Sequence, residues 1–308
     1  MPDPTCRLLA VDVDGTLVTG EGPPRRDVAA LHRAVRAGVV VCLCTGRTWP
    51  EVRPVWAQLR LPAPAAPVIC VGGALVAEPH TGRTLYARGF DRPAATDLAG
   101  ALAAMGYPVM ALVDGWREDF DYYLLGDWRG NERYRRFFAR RPSRCREVDR
   151  LDDPTGPRAL RISVLDGGEG AAAAVAELRR RFAGRIETQA IHLRQTRVHI
   201  VEAFAAGTHK LSAMVYVGQG YRISPRAMAA IGDDDNDRVM LEGAGLSAAP
   251  ADADEELRAA ADVIVAPRGQ SPVAEFVEHM LEKKVRGERL EVRETERPRG
   301  PSPPPPHL

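Results

Sequence analysis

The chain has 308 residues, of which 45% are hydrophobic and 27% are charged. This length is about right for two domains, and a core of that size needs neither disulfide bonds nor a structural metal to fold. The 42 basic and 41 acidic residues leave a formal net charge of +1, which gives no reason to expect a nucleic acid or an anionic membrane as the main partner.

The first part of the chain alternates between predicted strands and predicted helices. Residues 7–13 form an apolar run that ends at Asp-Gly-Thr, the pattern of a buried strand that leads into a loop. Apolar residues at helical spacing predict a helix over 27–36, and a second helix is predicted near 50–60. Since apolar strands are also predicted at 39–43 and 68–71, this order predicts a parallel sheet with helices on its faces.

The same order returns late in the chain. Residues 227–231 predict a strand, which is followed by an acidic loop and by a helix through Met240 and Leu241. Two further short strands are predicted at 246–249 and 263–266. We therefore expect an α/β fold in which the early and late blocks form one Rossmann-like parallel-sheet core.

The middle of the chain has a different pattern. Between about 80 and 203, apolar and polar residues alternate in period two in several short runs, one of them at 85–88. Helices are predicted near 93–105 and 169–183. This combination predicts an α+β domain that is inserted into the α/β core and keeps a hydrophobic core of its own.

The predicted organisation has four segments. The last segment, residues 283–308, is rich in charged residues and proline and has almost no apolar residues, so we expect it to be disordered. The segments are the first part of the core (1–78), the inserted domain (79–204), the second part of the core (205–282) and the tail (283–308).

Two carboxylates stand at the end of the first predicted strand, in the segment Asp-Val-Asp-Gly-Thr. Because side chains alternate along a strand, Asp12 and Asp14 project in the same direction, at the sheet edge where α/β proteins bind ligands. Neighbouring carboxylates repel each other, and a divalent cation or a shared proton relieves that repulsion. A solvated acidic turn is the alternative interpretation of this segment taken alone.

A second acidic cluster follows the predicted strand at 227–231. Its four carboxylates within six residues would be costly to hold close together without a cation. They belong to Asp233, Asp234, Asp235 and Asp237. Carboxylate oxygens are ligands that Mg²⁺ prefers, and this metal usually keeps waters and substrate phosphate in its other positions. A solvated helix N-terminus, which also favours aspartate, is the alternative interpretation.

Two further positions are candidates for binding an anion. The segment Thr45-Gly46-Arg47 ends the second predicted strand directly before a helix, where a hydroxyl and backbone N–H groups form an anion site. Thr45 could instead cap that helix. Lys210 lies at the start of a predicted helix that returns the chain to the core. A lone lysine there is most often a surface charge, so its candidacy depends on its place in the order of motifs.

Four segments, in this order, resemble the four sequence motifs of the haloacid dehalogenase superfamily. They are Asp12-x-Asp14-Gly15-Thr16, Thr45, Lys210, and Gly232-Asp233-x-x-Asn236-Asp237. The inserted domain falls between the second and third motifs, as it does in the C2-capped branch, which contains the Cof-type and sugar-phosphate phosphatases. By this resemblance, the inserted domain is expected to be a cap that excludes water and recognises the leaving group.

The resemblance implies a Mg²⁺-dependent phosphatase that acts on a small phosphorylated metabolite. It implies Asp12 as the nucleophile that forms an aspartyl-phosphate, and Asp14 as general acid and then general base. Lys210 would offset negative charge on the phosphoryl group. The implied ligands of Mg²⁺ are Asp12, the main-chain oxygen of Asp14, Asp233 and Asp237. The implied phosphate-binding residues are Thr45, Gly46, Lys210 and Asn236.

The same motifs leave two other functions open. A phosphotransferase or phosphomutase would pass the phosphoryl group from Asp12 to a sugar hydroxyl instead of water. A non-catalytic sensor of a phosphorylated ligand is the second alternative. The presence of Asp12, Asp14, Lys210 and Asp233 together argues against the sensor, because loss of catalysis relaxes the need for all four.

The expected location is the cytoplasm. The first residues lack the basic and apolar regions of a secretory signal, and no run of 18 apolar residues occurs. The five cysteines, an odd number, are scattered along the chain, which fits a reducing compartment.

Overall fold

The computed structural model describes residues 6–62, 65–141, 143–153, 156, 158–193 and 198–286. The chain divides into two compact units. The core unit comprises Met1–Leu85 and His209–Leu308, and the inserted unit comprises Tyr86–Thr208. No helix among the described residues is both long and apolar enough to cross a membrane.

The first part of the core unit forms strands from the apolar runs and helices from the amphipathic segments between them. All five residues of the first strand are buried, as expected of a strand in the middle of a parallel sheet. In chain order the elements are Leu8–Asp12 (β1), Arg25–Arg36 (α1), Val40–Cys44 (β2), Trp49–Leu59 (α2), Val68–Cys70 (β3), Leu75–Ala77 (β4) and Thr84–Ala87 (β5).

The inserted unit has three helices and six strands among its described residues. They are Arg92–Ala104 (α3), Val109–Leu112 (β6), Tyr122–Leu125 (β7), Glu132–Arg140 (α4), Cys145–Glu147 (β8), Arg161–Asp166 (β9), Ala171–Arg181 (α5), Ile186–Leu193 (β10) and Val198–Ala205 (β11). The strands form one sheet in the order β10-β11-β9-β6-β7-β8. Neighbouring strands are antiparallel except β7 and β8, which is the expected α+β arrangement.

The second part of the core unit returns to alternating helices and strands. Its elements are Lys210–Gly220 (α6), Met228–Ile231 (β12), Arg238–Gly243 (α7), Leu246–Pro250 (β13), Glu255–Ala260 (α8), Val263–Val265 (β14) and Pro272–Arg286 (α9). In the described residues the strands of both parts form an eight-stranded sheet in the order β14-β13-β12-β1-β2-β3-β4-β5. From β14 to β3 all neighbours are parallel, which confirms the predicted parallel-sheet core.

Three details differ from the predicted organisation. The apolar alternation at 85–88, assigned above to the inserted domain, belongs to β5, which extends the sheet of the core; period two marks a strand but not the sheet that it joins. The inserted unit is bounded at 86 and 208, so its first boundary falls within β5, whereas the predicted bounds are 79 and 204. Helix α9 continues to Arg286, past the predicted start of the tail at 283, because its last residues are good helix formers. The remaining tail residues, 287–308, lie outside the described residues.

A buried carboxylate connects the first and last helices of the core unit. Asp27, in α1, is fully buried, and its Oδ1 accepts a hydrogen bond of 2.8 Å from the backbone N–H of Ala274 in the first turn of α9. Burial raises the pKa of Asp27 to about 6, although this hydrogen bond opposes the change. The contact satisfies one of the N–H groups that a helix start leaves without a partner inside the helix.

The inserted unit buries an ion pair within its sheet. The Nη1 of Arg161 lies 2.7 Å from Oε1 of Glu202, and both side chains are less than one-tenth exposed. The second carboxylate oxygen, Oε2, accepts a hydrogen bond of 3.0 Å from Nε2 of Gln189. Both oxygens of the Glu202 carboxylate therefore have partners, as a buried charge requires.

Candidate active site

Apart from Lys210, which begins α6, the predicted site residues lie at or just after the carboxyl ends of three neighbouring strands. Asp12 is the last residue of β1 and pairs in register with Cys44, the last residue of β2. On the other side, Val11 pairs with Ile231 at the end of β12. Because the three strands are parallel, the segments that follow them meet at one edge of the sheet, where open α/β sheets bind ligands.

Lys210 lies at the centre of the candidate site. Its Nζ is 2.6 Å from Oδ1 of Asp12 and 2.7 Å from Oδ1 of Asp237, and all three side chains are almost fully buried. Oδ1 of Asn236 is 3.5 Å away, so any hydrogen bond to it is weak. Burial alone would lower the pKa of Lys210, but attraction to Asp12 and Asp237 outweighs it and raises that pKa above its ordinary value. Lys210 is therefore a fixed, buried positive charge.

Three buried carboxylates form a group that could hold a metal ion. Asp12, Asp233 and Asp237 each offer an oxygen, and these oxygens lie within 4.8 Å of one another. Oδ2 of Asp12 is buried and has no hydrogen-bond partner, which is costly for a charged group unless a cation binds it. Burial and repulsion from Asp237 raise the pKa of Asp12, and Lys210 offsets only part of the shift. Oxygen donors, crowded negative charge and an unpartnered oxygen all fit Mg²⁺.

Gly15 and Thr16 set the position of Asp233. Gly15 has φ +89°, and a Cβ at this residue would lie 2.1 Å from Oδ2 of Asp233; only glycine allows this approach. The hydroxyl of Thr16 donates a hydrogen bond of 2.8 Å to Oδ1 of Asp233. The loop after β1 therefore fits directly against the acidic loop after β12.

Arg268 is a site residue that the sequence analysis missed. It follows β14, and its Nε donates to Oδ2 of Asp233 at 2.8 Å while its Nη2 donates to the main-chain oxygen of Asp233 at 2.7 Å. Burial and repulsion from Asp237 raise the pKa of Asp233, whereas Thr16 and Arg268 lower it. The segment Pro-Arg-Gly around Arg268 carries no motif, so only its proximity in space reveals it.

The segment after β2 is buried at Thr45 and does not provide the cap of helix α2. Thr45 is fully buried, and its Oγ1 accepts a hydrogen bond of 3.1 Å from the backbone N–H of Arg47. The cap of α2 is Thr48, which forms a capping box with Glu51, so the alternative that Thr45 caps this helix is wrong. Gly46 is partly exposed, with open space on its Cβ side. Phosphate binding by Thr45 and Gly46 stays a prediction.

Asp14 differs from the other site carboxylates. Its side chain is 58% exposed, whereas that of Asp12 is 5% exposed. The Nε of Arg47 donates to Oδ2 of Asp14 at 2.9 Å, and Nη2 donates to Oδ1. The hydrogen bonds to Asp14 are the main reason that the pKa of Arg47 is raised above its ordinary value, and the negative charge of Asp14 adds to this effect. The structure thus brings Asp12, Lys210, Asp233 and Asp237 into one buried cluster and places the Asp14 carboxylate outside it.

Of the remaining acidic residues, the structure separates two from the cluster. Asp234 caps a short 3₁₀ turn and Asp235 pairs with Arg238. Oδ2 of Asp237, in contrast, accepts the backbone N–H groups of Asp233 and Asp234 at 3.2 and 3.3 Å. These bonds fix the acidic loop in the shape that turns Asp233 and Asp237 toward Asp12.

Comparison with known proteins agrees with this fold. The sequence profile of the haloacid dehalogenase-like hydrolases matches residues 9–277, and the chain belongs to this family. The Bacillus subtilis protein named 5-amino-6-(5-phospho-D-ribitylamino)uracil phosphatase YwtE is 25% identical over 295 residues, which cover 89% of this chain and 98% of the relative.

Two solved structures share the fold. A haloacid dehalogenase-like hydrolase from B. subtilis has a TM-score of 0.71 and 21% identity, with 89% of this chain and 99% of that chain covered. The sugar phosphatase BT4131, described as a member of subclass IIB, has a TM-score of 0.69 and 18% identity, with 89% and 98% covered. The family, the α/β fold and the prediction of an enzyme of the phosphatase type are confirmed.

Proposed function

We propose that the chain is a Mg²⁺-dependent phosphatase that hydrolyses a small phosphorylated metabolite, a sugar phosphate or a similar phosphomonoester, through an aspartyl-phosphate on Asp12. One observation carries the proposal. The carboxylate of Asp12 is buried with Oδ1 held by Lys210 at 2.6 Å, while Oδ2 has no partner. An oriented carboxylate with an unpartnered oxygen is what attack on phosphorus requires.

The reaction has two steps on the side chains of this chain. In the first, Oδ2 of Asp12 forms a bond to phosphorus while the bond from phosphorus to the leaving oxygen breaks, and Asp14 gives its proton to that oxygen. In the second, Asp14 takes a proton from water as the water oxygen forms a bond to phosphorus and the bond from phosphorus to Oδ2 of Asp12 breaks, which releases inorganic phosphate and restores the Asp12 carboxylate. The two steps balance, and Asp14 returns to its protonated form.

The other residues of the site support these steps by charge and orientation. Lys210 holds Asp12 in line and reduces its repulsion from an incoming phosphate. Thr45, Gly46 and Asn236 are proposed to bind the phosphoryl oxygens. Asp12, Asp233 and Asp237, with the main-chain oxygen of Asp14, would hold Mg²⁺. When bound, this ion would neutralise negative charge on the phosphoryl oxygens.

The substrate class is supported by the relatives and by the chain's organisation. YwtE is named for a phosphorylated ribityl compound, and BT4131 is described as a sugar phosphatase. The inserted α+β unit between the second and third motifs supports a place in the C2-capped, Cof-type branch. A cytoplasmic location and the absence of a nucleic-acid partner stay predictions.

The test is phosphate release from a panel of phosphorylated metabolites, in Mg²⁺ or in EDTA, for the wild type and Asp12→Asn. Release that requires Mg²⁺ and is lost in Asp12→Asn would support the proposal. Asp254→Asn, which changes an exposed carboxylate of the same unit, is the matched control and should keep full activity. Absence of release from every substrate, with folded protein, would contradict the proposal. Conversion of a sugar bisphosphate to an isomeric monophosphate would indicate the transferase alternative.

A further inference from the structure

The exposure of Asp14 raises the question of how a general acid is held in place. Its side chain is 58% exposed, so solvent alone would let the carboxyl group rotate among several rotamers. A proton donor must lie within hydrogen-bond reach of the leaving oxygen, and misplacement by about 1 Å can cost about 10²-fold in rate. Burial holds Asp12, Asp233 and Asp237, but it cannot hold Asp14.

Arg47 provides the missing restraint. Its Nε and Nη2 donate to the two different oxygens of the Asp14 carboxylate, and this fork geometry fixes the plane of the carboxylate as well as its distance. In the described part of the chain, no other side chain hydrogen-bonds to these oxygens.

Arg47 is itself anchored on both its backbone and its side chain. Its N–H donates to Oγ1 of Thr45 at 3.1 Å, and its carbonyl oxygen accepts from the N–H of Val71 at 2.9 Å. Its Nη1 makes a longer contact of 3.4 Å with the carbonyl oxygen of Glu51 in the first turn of α2. The guanidinium therefore projects from a fixed point, and the position of Asp14 is set by the loop after β2.

We infer that Arg47 is the positioning residue for Asp14 and that it makes the enzyme competent for phosphate esters of alcohols, whose leaving oxygens need a proton. The inference rests on the proposed function. As the bond between phosphorus and the ester oxygen breaks, the proton leaves Asp14 for that oxygen.

The test compares an alkyl phosphate with p-nitrophenyl phosphate, whose leaving group departs without protonation. We measure kcat/KM, which reports formation of the aspartyl-phosphate, for the wild type, Arg47→Ala, Arg47→Lys and Asp14→Asn. For Arg47→Ala the expected loss on the alkyl phosphate is about 10²–10⁴-fold, as for loss of a general acid. The loss on p-nitrophenyl phosphate is expected to be below about 10-fold, and Asp14→Asn should show the same split.

The lysine variant separates charge from geometry. Lysine keeps the positive charge but lacks the fork, so Arg47→Lys is expected to recover only a small part of the activity on the alkyl phosphate. Arg53→Ala, which changes an exposed arginine in the neighbouring helix α2, should leave activity on both substrates unaffected. Circular dichroism and Tm show whether each variant is folded.

Two results would overturn the inference. An equal loss on both substrates, together with weaker inhibition by inorganic phosphate, would mean that Arg47 binds the phosphoryl group instead of positioning Asp14. Wild-type activity on the alkyl phosphate in Arg47→Ala would mean that Asp14 needs no restraint. Inactivity of the wild type on both substrates would instead count against the proposed function itself, so the two failures are distinguishable.

Discussion

Each unit of the chain buries an ion pair, and the two pairs are built differently. In the inserted unit, both oxygens of Glu202 have partners, Arg161 and Gln189. In the core unit, Lys210 bonds to Asp12 and Asp237 at once, while Oδ2 of Asp12 has no partner. One buried carboxylate is satisfied on both oxygens, and the other keeps an oxygen available.

This difference helps to decide whether a buried charged group stabilises the fold or takes part in the reaction. A buried oxygen without a partner costs free energy, but Oδ2 of Asp27 also has no partner, so this feature alone does not identify a catalytic group. The core cluster accepts that cost, and it also places Asp233 beside Asp12 and Asp237. The crowding of three carboxylates around one buried cation supports the catalytic role proposed for the core cluster, whereas we expect the Arg161–Glu202 pair to stabilise its sheet.

Asp12→Asn is expected to have the largest effect of the variants, and this effect is on activity. Loss of the nucleophile should lower the rate of phosphate release by at least about 10⁴-fold. The same change keeps the side-chain volume and removes one of three crowded negative charges, so the Tm of the metal-free protein should stay equal or rise. Activity assays and thermal unfolding in EDTA check both parts. A fall in Tm of several degrees would mean that Asp12 serves the fold.

Replacement of the central cation should damage both activity and stability. Lys210→Met keeps most of the side-chain volume but leaves Asp12 and Asp237 buried without their cation. Removal of one partner from a buried pair costs about 3–5 kcal/mol, and we expect this loss in the free energy of unfolding in EDTA. Mg²⁺ should restore part of the stability, because it replaces the lost positive charge. Equal stability of the variant with and without Mg²⁺ would argue against a metal at the acidic group.

Loss of the ion pair in the inserted unit should lower the stability of the protein and leave its activity unchanged. Arg161→Met is expected to cost about 3–5 kcal/mol by the same argument, while kcat on p-nitrophenyl phosphate stays within about 2-fold at a temperature where the variant is folded. The double variant Arg161→Met/Glu202→Leu should recover most of the lost stability, since no buried charge is left alone. Denaturant unfolding and activity assays check this prediction. A large loss of kcat in the folded single variant would remove the contrast between the two pairs.

The smallest effect concerns Asp27, a buried carboxylate outside both clusters. Its folded pKa of about 6 lies above the ordinary value, so the native state binds more protons than the unfolded state between about pH 4 and pH 6. Stability from this group is therefore full below about pH 4 and falls by up to about 3 kcal/mol as pH rises through 6.

Asp27→Asn tests this by removing the titration while keeping an oxygen for the N–H of Ala274. The wild type should lose up to about 3 kcal/mol of its free energy of unfolding in EDTA from this group between pH 4 and pH 7, and the variant should not. The difference between the two proteins should therefore change in favour of the variant by that amount. Urea unfolding at the two pH values measures the change. A difference between the two proteins that does not vary with pH would mean that the pKa of Asp27 is ordinary.

The order of motifs was enough to predict the fold and most of the buried cluster. Asp12, Lys210 and Asp233 are far apart in the chain, yet each follows a predicted strand or begins a predicted helix, and the parallel sheet brings such positions to one edge. The proximity of these residues in space depends on backbone topology, which the apolar patterns of the sequence predict well.

The contacts that position these residues could not be predicted in the same way. Arg268 lies in a loop without a motif, and its contact with Asp233 depends on where the loop after β14 runs. Arg47 is part of the Thr-Gly-Arg segment, but its pairing with Asp14 depends on side-chain rotamers across two loops. Strand β5 joins the sheet of the core unit although its last two residues belong to the inserted unit, because alternation identifies a strand without identifying its neighbour.

The most direct test of the central claim is chemical trapping of phosphorylated Asp12. The wild type is mixed with Mg²⁺ and the best substrate, quenched within one turnover, and treated with borohydride, which reduces an aspartyl-phosphate to homoserine. Peptide mass spectrometry should then find homoserine at residue 12, only when substrate and Mg²⁺ were both present, and no change at residue 14. Phosphate release at full rate with an unmodified aspartate at residue 12 would contradict the account.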